Sequence, residues 1–397
     1  MNPLLSQLKV LDFTTLLPGP FATMMLADLG AEVVRIESPT RFDLLRLIPP
    51  YVDGQGTISY GHAYLNRNKK SMALDLKNKD SFSVVERLIQ QYDVIVEQFR
   101  PGVMDRLGLS YERLSASNPK LIYCSITGYG QSGSWKFRAG HDINYLSLSG
   151  IMSYSGRKET GPNLMGIQIA DVGAGSYNAL VSILAAVINR MESGEGQYID
   201  VSMTDGLFPY QAMSSVMELS GQGSIGYETE MLNGGSLYDF YETSDGKYIS
   251  FGGIEPQFFN NFCTVLGLDD LKSGGIDQVG NLEEAKKRVS DIIRSKPRDY
   301  WVEKFQKEDA CVEPVLSFKE AVDSDQAKER GVLVDIPAPD GKDITQIAYP
   351  VKFSNFTPEY KRCGCKLGED TMEIMESLGY DRAEIEKIKE KGVFGDK

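Results

Sequence analysis

Two residues of this 397-residue chain have types and spacing that could do chemistry: His141, one of only two histidines, and Asp171, thirty positions later. A histidine and a carboxylate delivered by separate loops can face a small carbon acid from opposite sides. One then removes a proton while the other supplies one. His141 lies in Gly140-His141-Asp142-Ile143-Asn144-Tyr145, and Asp171 ends Gly166-Ile167-Gln168-Ile169-Ala170-Asp171. Each also has a plainer reading, as a hydrogen-bonded loop histidine and as a helix N-cap. His62, in Ser59-Tyr60-Gly61-His62-Ala63, has no comparable context and is read as structural.

The elements that must position the pair follow from hydrophobic periodicity. Leu8 to Phe13 reads as a buried strand, Pro18-Gly19-Pro20 opens an apolar helix that Gly30 ends, and Glu32 to Glu37 is a second strand. The unit repeats with strand Met72–Leu76, a helix through Val84, Val85, Leu88 and Ile89, and strand Asp93–Val96. Strands Leu121–Ile126 and Tyr198–Met203 follow. Between them, Leu180, Ile183, Leu184, Val187 and Ile188 recur at helical spacing and place Asp171 at or just before a helix N-terminus, where the dipole favours a carboxylate. The fold class is therefore α/β, a Rossmann-like large domain with a mostly parallel sheet. Ser, Gly and Met accumulate between Met213 and Gly235, which marks the crossing into a smaller α+β domain. The expected division is residues 1–212 for the large domain, 225–330 for the small one and 331–397 for a return onto the first. The small domain starts with an antiparallel pair joined by Ser244-Asp245-Gly246.

A net charge of -13 excludes the broad basic face that nucleic acid or an anionic membrane requires. No run approaches membrane-spanning length, and the N-terminal residues lack the charged start and apolar core of a signal peptide, so a cytoplasmic protein is expected. The five scattered cysteines form no disulfide framework, and Cys363-Gly364-Cys365 has no second ligand pair, so no metal is expected.

Ligands of parallel sheets lie at the carboxyl ends of the strands. Near them, Asn66-Arg67-Asn68-Lys69-Lys70, Lys77, Arg100 and Arg106 form a local basic patch suited to the phosphates of a nucleotide-like ligand. Gly128-Tyr129-Gly130-Gln131-Ser132-Gly133 matches the dinucleotide fingerprint, but Ser134 to Gly140 does not continue as the apolar helix that would hold a pyrophosphate. A glycine-rich loop closing over a substrate fits better than a nicotinamide site.

These strings, taken together, resemble the family III CoA-transferase superfamily, and within it the α-methylacyl-CoA racemases. The superfamily part is Pro18-Gly19-Pro20, Leu26 to Val33, Asn66 to Lys77, Arg100-Pro101-Gly102-Val103 and Gly194-Glu195-Gly196-Gln197. The racemase part is Gly140 to Tyr145, Gly252-Gly253-Ile254-Glu255-Pro256-Gln257-Phe258 and Asp309-Ala310-Cys311-Val312. The resemblance implies an interlocked homodimer acting on an acyl-CoA thioester, with coenzyme A arriving as part of the substrate and no other cofactor required. It implies CoA contacts from Arg67, Leu74, Asp75, Leu76, Lys77, Arg100, Gly140, Asp142, Ile143, Asn144 and Tyr145. It also implies catalytic roles for His141, Asp171 and Glu255, with Glu255 orienting the imidazole and possible from either subunit of the dimer.

Two chemistries are compatible with that resemblance. In the transferases an aspartate at the position of Asp171 is a nucleophile carrying the acyl group; in the racemases it works opposite a histidine at the position of His141. Two departures bear on the choice. Ile167 stands where the racemases carry an asparagine, and Ser38 where they tend to carry a CoA-contacting arginine. The racemase reading is the first expectation, CoA transfer between an acyl-CoA and a free acid the second, and a CoA-binding protein without catalysis the third.

Overall fold

Val10, Leu11, Val33, Val34, Ile95 and Val96 are all buried, as strands covered by helices on both faces require. The computed structural model describes residues 3–52, 56–272, 275–276, 278–339 and 341–395. Two compact units divide the chain: one comprises 1–146, 166–208 and 328–397, the other 147–165 and 209–327. The boundary differs from the expected one chiefly at residues 147–165, which belong to the smaller unit.

In the larger unit the chain runs β1 (Lys9–Asp12), α1 (Pro18–Asp28), β2 (Glu32–Glu37), β3 (Lys70–Ala73), α2 (Ser81–Ile89) and β4 (Val94–Glu97). It continues through α3 (Tyr111–Ser117), β5 (Ile122–Thr127), α4 (Asp142–Leu148), a π-helical segment (Ile169–Tyr177), α5 (Asn178–Ser193) and β6 (Tyr198–Ser202). The six strands lie in the order β3-β2-β1-β4-β5-β6, and every pairing is parallel. Val10 of β1 faces Val33 on one side and Val94 on the other. The order reverses between β1 and β4, so the ligand crevice of such a sheet opens at their carboxyl ends. There Gln98 ties the two loops, accepting from Gly19 N (2.9 Å) and donating to Thr15 O (2.7 Å).

One face of the sheet is covered by α2, whose Val84, Val85, Leu88 and Ile89 recur at helical spacing and are all fully buried. Helices Thr371–Ser377 and Arg382–Glu390 join it through Ile374, Met375 and Ile385. This C-terminal return also closes the exposed edge of β3: the Asp370 carboxylate accepts from Ser71 N (2.8 Å) and Thr371 Oγ1 from Ala73 N (3.0 Å). On the other face α1, almost wholly buried, packs against the π-helical segment.

Most buried charges in this unit are paired, whereas Glu97 accepts a hydrogen bond from Phe99 N (2.8 Å) and burial pushes its carboxyl up to about 7. Lys69 meets Asp12 at 3.0 Å, Arg46 meets Glu37 at 2.6 Å, and Arg35 pairs with Asp43. Arg67 meets Asp28 at 2.6 Å, donates to Ile347 O at 2.7 Å, and lies over the rings of Tyr64 and Tyr360. His62 is buried among them, with Nδ1 facing Arg35 (3.2 Å) and Asn66 (3.1 Å) and Nε2 facing Cys365 O (3.1 Å).

The expectation that no segment reaches membrane-spanning length does not hold. The continuous helix Ile169–Ser193 is long and apolar enough to cross a membrane, by length and composition alone. Its Ala170, Ala174, Ala179, Ile183 and Ala186 are buried within the unit, while Val181, Ile188 and Met191 are exposed.

In the smaller unit β7 (Asp239–Glu242), β8 (Tyr248–Phe251) and β9 (Val312–Pro314) form an antiparallel sheet in the order β9-β8-β7. Helices α6 (Pro256–Leu266), α7 (Leu282–Ile293) and α8 (Arg298–Phe305) pack on it, with the rings of Phe251 and Phe262 stacked at 3.7 Å. Arg157 secures residues 147–165 to this unit through Glu228 (3.1 Å) and Asp239.

Candidate active site

His141 closes the loop after β5 and caps α4. Its N–H donates to Asn144 Oδ1 (3.0 Å), and its carbonyl accepts from Asn144 N (2.8 Å). The carbonyl of the preceding residue, Gly140, accepts from the Tyr145 hydroxyl at 2.6 Å. Gly140 must be glycine, because a Cβ there would lie 2.6 Å from Tyr129 Oη and 2.7 Å from a Tyr145 ring carbon. The loop is anchored further by Thr204, whose hydroxyl donates to Gly128 O (2.7 Å), and by Asp200, which accepts from Gln131 N (2.9 Å). No helix follows Gly133 directly; the chain turns until Asp142.

Asp171 lies in the first turn of the π-helical segment rather than at a cap position. Wide i→i+5 turns of this kind cluster at functional positions. Here Ser176 Oγ donates both to Asp171 O (3.1 Å) and to Pro18 O (2.7 Å), tying the turn to the mouth of α1. Asp142 joins the two parts of the site: its carboxylate Oδ1 accepts from Ala170 N (2.6 Å) and Asp171 N (3.1 Å). The residue after His141 thereby caps the helix that carries Asp171. Burial pushes the Asp171 carboxyl up to about 6, with the like charge of Asp142 adding to it and His141 opposing it. A carboxyl poised there exchanges protons readily near neutral pH.

The structure brings together Gly140, His141, Asp142, Asn144, Tyr145 and Asp171. Ile143 is exposed on α4. Glu255 caps the N-terminus of α6 in the smaller unit, exposed and with no side-chain capping bond. Among the expected CoA contacts, Lys77 and Arg100 are exposed, Asp75 and Leu76 are partly exposed, and among the described residues neither cation forms an ion pair. Two of the expected contacts are buried. Arg67 is 1% exposed and committed to Asp28, so its guanidinium is not available to a phosphate. Leu74 is fully buried in the core, so its side chain offers a ligand nothing. Lys69 is buried against Asp12, which removes it from the patch as well, and the partly exposed Lys70 pairs with Glu373 (2.8 Å).

Tyr129, Gln98 and Thr204 belong to the site's framework and had not been singled out. Tyr129 lies inside the glycine-rich string and meets Tyr145 edge-on at 5.2 Å. An aromatic amid glycines was its only signal in the sequence.

The model of CoA-transferase family III matches residues 5–371. The chain is 36% identical over 394 residues to the human alpha-methylacyl-CoA racemase, covering 97% of this chain and 96% of that protein. It is 34% identical over 389 residues to the succinate–glutarate CoA-transferase of Agrobacterium fabrum, covering 95% and 96%. A CAIB/BAIF family protein from Brucella suis superposes with a TM-score of 0.83 at 29% identity, over 95% of this chain and 100% of that one. With a family match over most of its length and relatives above 30% identity at near-full coverage, the chain belongs to CoA-transferase family III.

Proposed function

We propose that the protein is an α-methylacyl-CoA racemase or epimerase, interconverting the (R) and (S) forms of 2-methylacyl-CoA thioesters. The observation that carries this reading is the bond from Asp142 to the backbone of Asp171, which joins the turn of His141 to a carboxyl raised to about 6. In the forward direction one residue takes the α-proton, and the C–H electron pair passes into the thioester as an enolate. The other residue then delivers its proton to the opposite face of the α-carbon. The two residues end with their protonation states exchanged and are reset by solvent, and the starting enantiomer decides which is the base.

A thioester α-carbon is too weakly acidic for either base alone, so the enolate oxygen needs a preorganised donor. The N–H of Asp142, first residue of α4, has no intrahelical acceptor and is assigned that role. Lys77 and Arg100 take the phosphates of the CoA moiety, and no resident cofactor is required. Glu255 is assigned the orientation of His141, supplied by the second subunit of an interlocked homodimer. The homodimer reading is supported by Met213 and Leu219, 79% and 84% exposed on the smaller unit.

The second reading, CoA transfer through covalent intermediates on Asp171, is favoured by Ile167. This residue is 65% exposed where a racemase asparagine is expected. Replacement of His141 by alanine separates the two. Racemisation collapses if the first reading holds, whereas acyl transfer to a free acid survives if the second does.

A further inference from the structure

The peptide unit that precedes His141 is held at both ends by side chains of one helix. Its carbonyl, on Gly140, accepts from the Tyr145 hydroxyl at 2.6 Å, and its N–H, on His141, donates to Asn144 Oδ1 at 3.0 Å. Two side chains adjacent on α4 thus fix the plane of a single peptide, and with it the direction in which the His141 side chain leaves the backbone.

Tyr145 is 6% exposed, too buried to serve mainly as a ligand contact. Its ring is braced edge-on by Tyr129, which in turn meets Trp135 at 6.2 Å. The fit is tight on both sides: a Cβ on Gly128 would lie 2.5 Å from a Tyr145 ring carbon, and one on Gly140 would lie 2.7 Å from it. Burial, and then the nearby Asp171 carboxylate, hold the phenol above its ordinary range, so it stays protonated as a donor to Gly140.

We propose that Tyr145 and Asn144 are positioning residues that clamp the Gly140–His141 peptide and so aim the imidazole at the α-carbon, rather than contacts to coenzyme A. The inference rests on the proton-transfer reading. Among the described residues neither side chain is hydrogen-bonded to the π-helical segment, and the Asp142–Asp171 junction uses neither of them, so the loss expected from either variant falls chiefly on His141.

The test is α-proton exchange into deuterated solvent, measured on the full-length protein from each enantiomer of a 2-methylacyl-CoA separately. His141→Ala identifies the enantiomer whose exchange depends on His141. Tyr145→Phe and Asn144→Ala are each expected to slow exchange from that enantiomer about tenfold or more. Exchange from the other should change less than about threefold and KM less than about twofold, while Asn144→Asp, which keeps the acceptor oxygen, restores most of the rate. Equal losses from both enantiomers, a rise in KM alone, or unchanged rates overturn the proposal. If Tyr145→Phe does not fold, the comparison of Asn144→Ala with Asn144→Asp decides the same question. Absence of exchange in the unaltered protein is a different result: it overturns the proton-transfer reading itself, and this role of the clamp with it.

Discussion

The carboxylate of Asp142 accepts hydrogen bonds from the backbone N–H groups of Ala170 and Asp171, so the residue beside the histidine caps the helix that carries the aspartate. Two loops thirty residues apart are thereby locked in one register. The bond has an electrostatic consequence too, because it places a second carboxylate near Asp171 and helps raise that group to about 6.

Asp142→Asn keeps an acceptor oxygen but removes the charge. Exchange initiated by Asp171 requires its ionised form, so in the unaltered protein that rate rises as pH passes upward through about 6. In Asp142→Asn the carboxyl falls toward its ordinary value and the acid limb shifts to lower pH by roughly half a unit to one unit. The pH profile of exchange from each enantiomer measures this. A limb that does not move means that burial alone sets the Asp171 carboxyl.

Arg67 and Arg100 should respond in opposite ways. Arg67→Ala leaves Asp28 buried without its partner and is expected to destabilise the fold by about 3–5 kcal/mol, read from urea unfolding. Arg100→Ala removes an exposed cation at the carboxyl end of β4. Its expected effect is a rise of about tenfold in KM for acyl-CoA with stability unchanged. The reverse pattern would place the phosphates on the other arginine.

His62 supplies a stability prediction. Burial, and then the Arg46 and Arg35 charges, hold its imidazole well below the ordinary value, so it is neutral in the fold. Above about pH 6.5 it is neutral in the unfolded chain as well and contributes no pH dependence. As pH falls below that point only the unfolded chain takes up the proton, and stability drops by up to about 1.4 kcal/mol per unit until the folded-state value is reached. His62→Gln should flatten this part of the curve between pH 6.5 and 5 in thermal melts, whatever its effect on absolute stability. An identical slope in both proteins would contradict the assignment.

The strands and the parallel sheet could be read from the sequence because Val10-Leu11, Val33-Val34 and Ile95-Val96 are apolar on both faces, a local signal that tertiary context did not override. Arg67 could not be read correctly in the same way. A basic residue near a strand looks like a phosphate ligand until Asp28, 39 positions away, is brought against it. Strand β9 was likewise invisible, since three residues carry no period and pair with β8 only after the fold forms. The joining of His141 to Asp171 through Asp142 also depended on folding, although the three residue types were visible in order.

The most direct measurement is incorporation of solvent deuterium at the α-carbon of a 2-methylacyl-CoA by the purified protein with no free carboxylic acid present. Incorporation from both enantiomers, accompanied by interconversion that His141→Ala abolishes, is the predicted result. No incorporation, together with hydroxylamine-sensitive acyl labelling of Asp171, would contradict it.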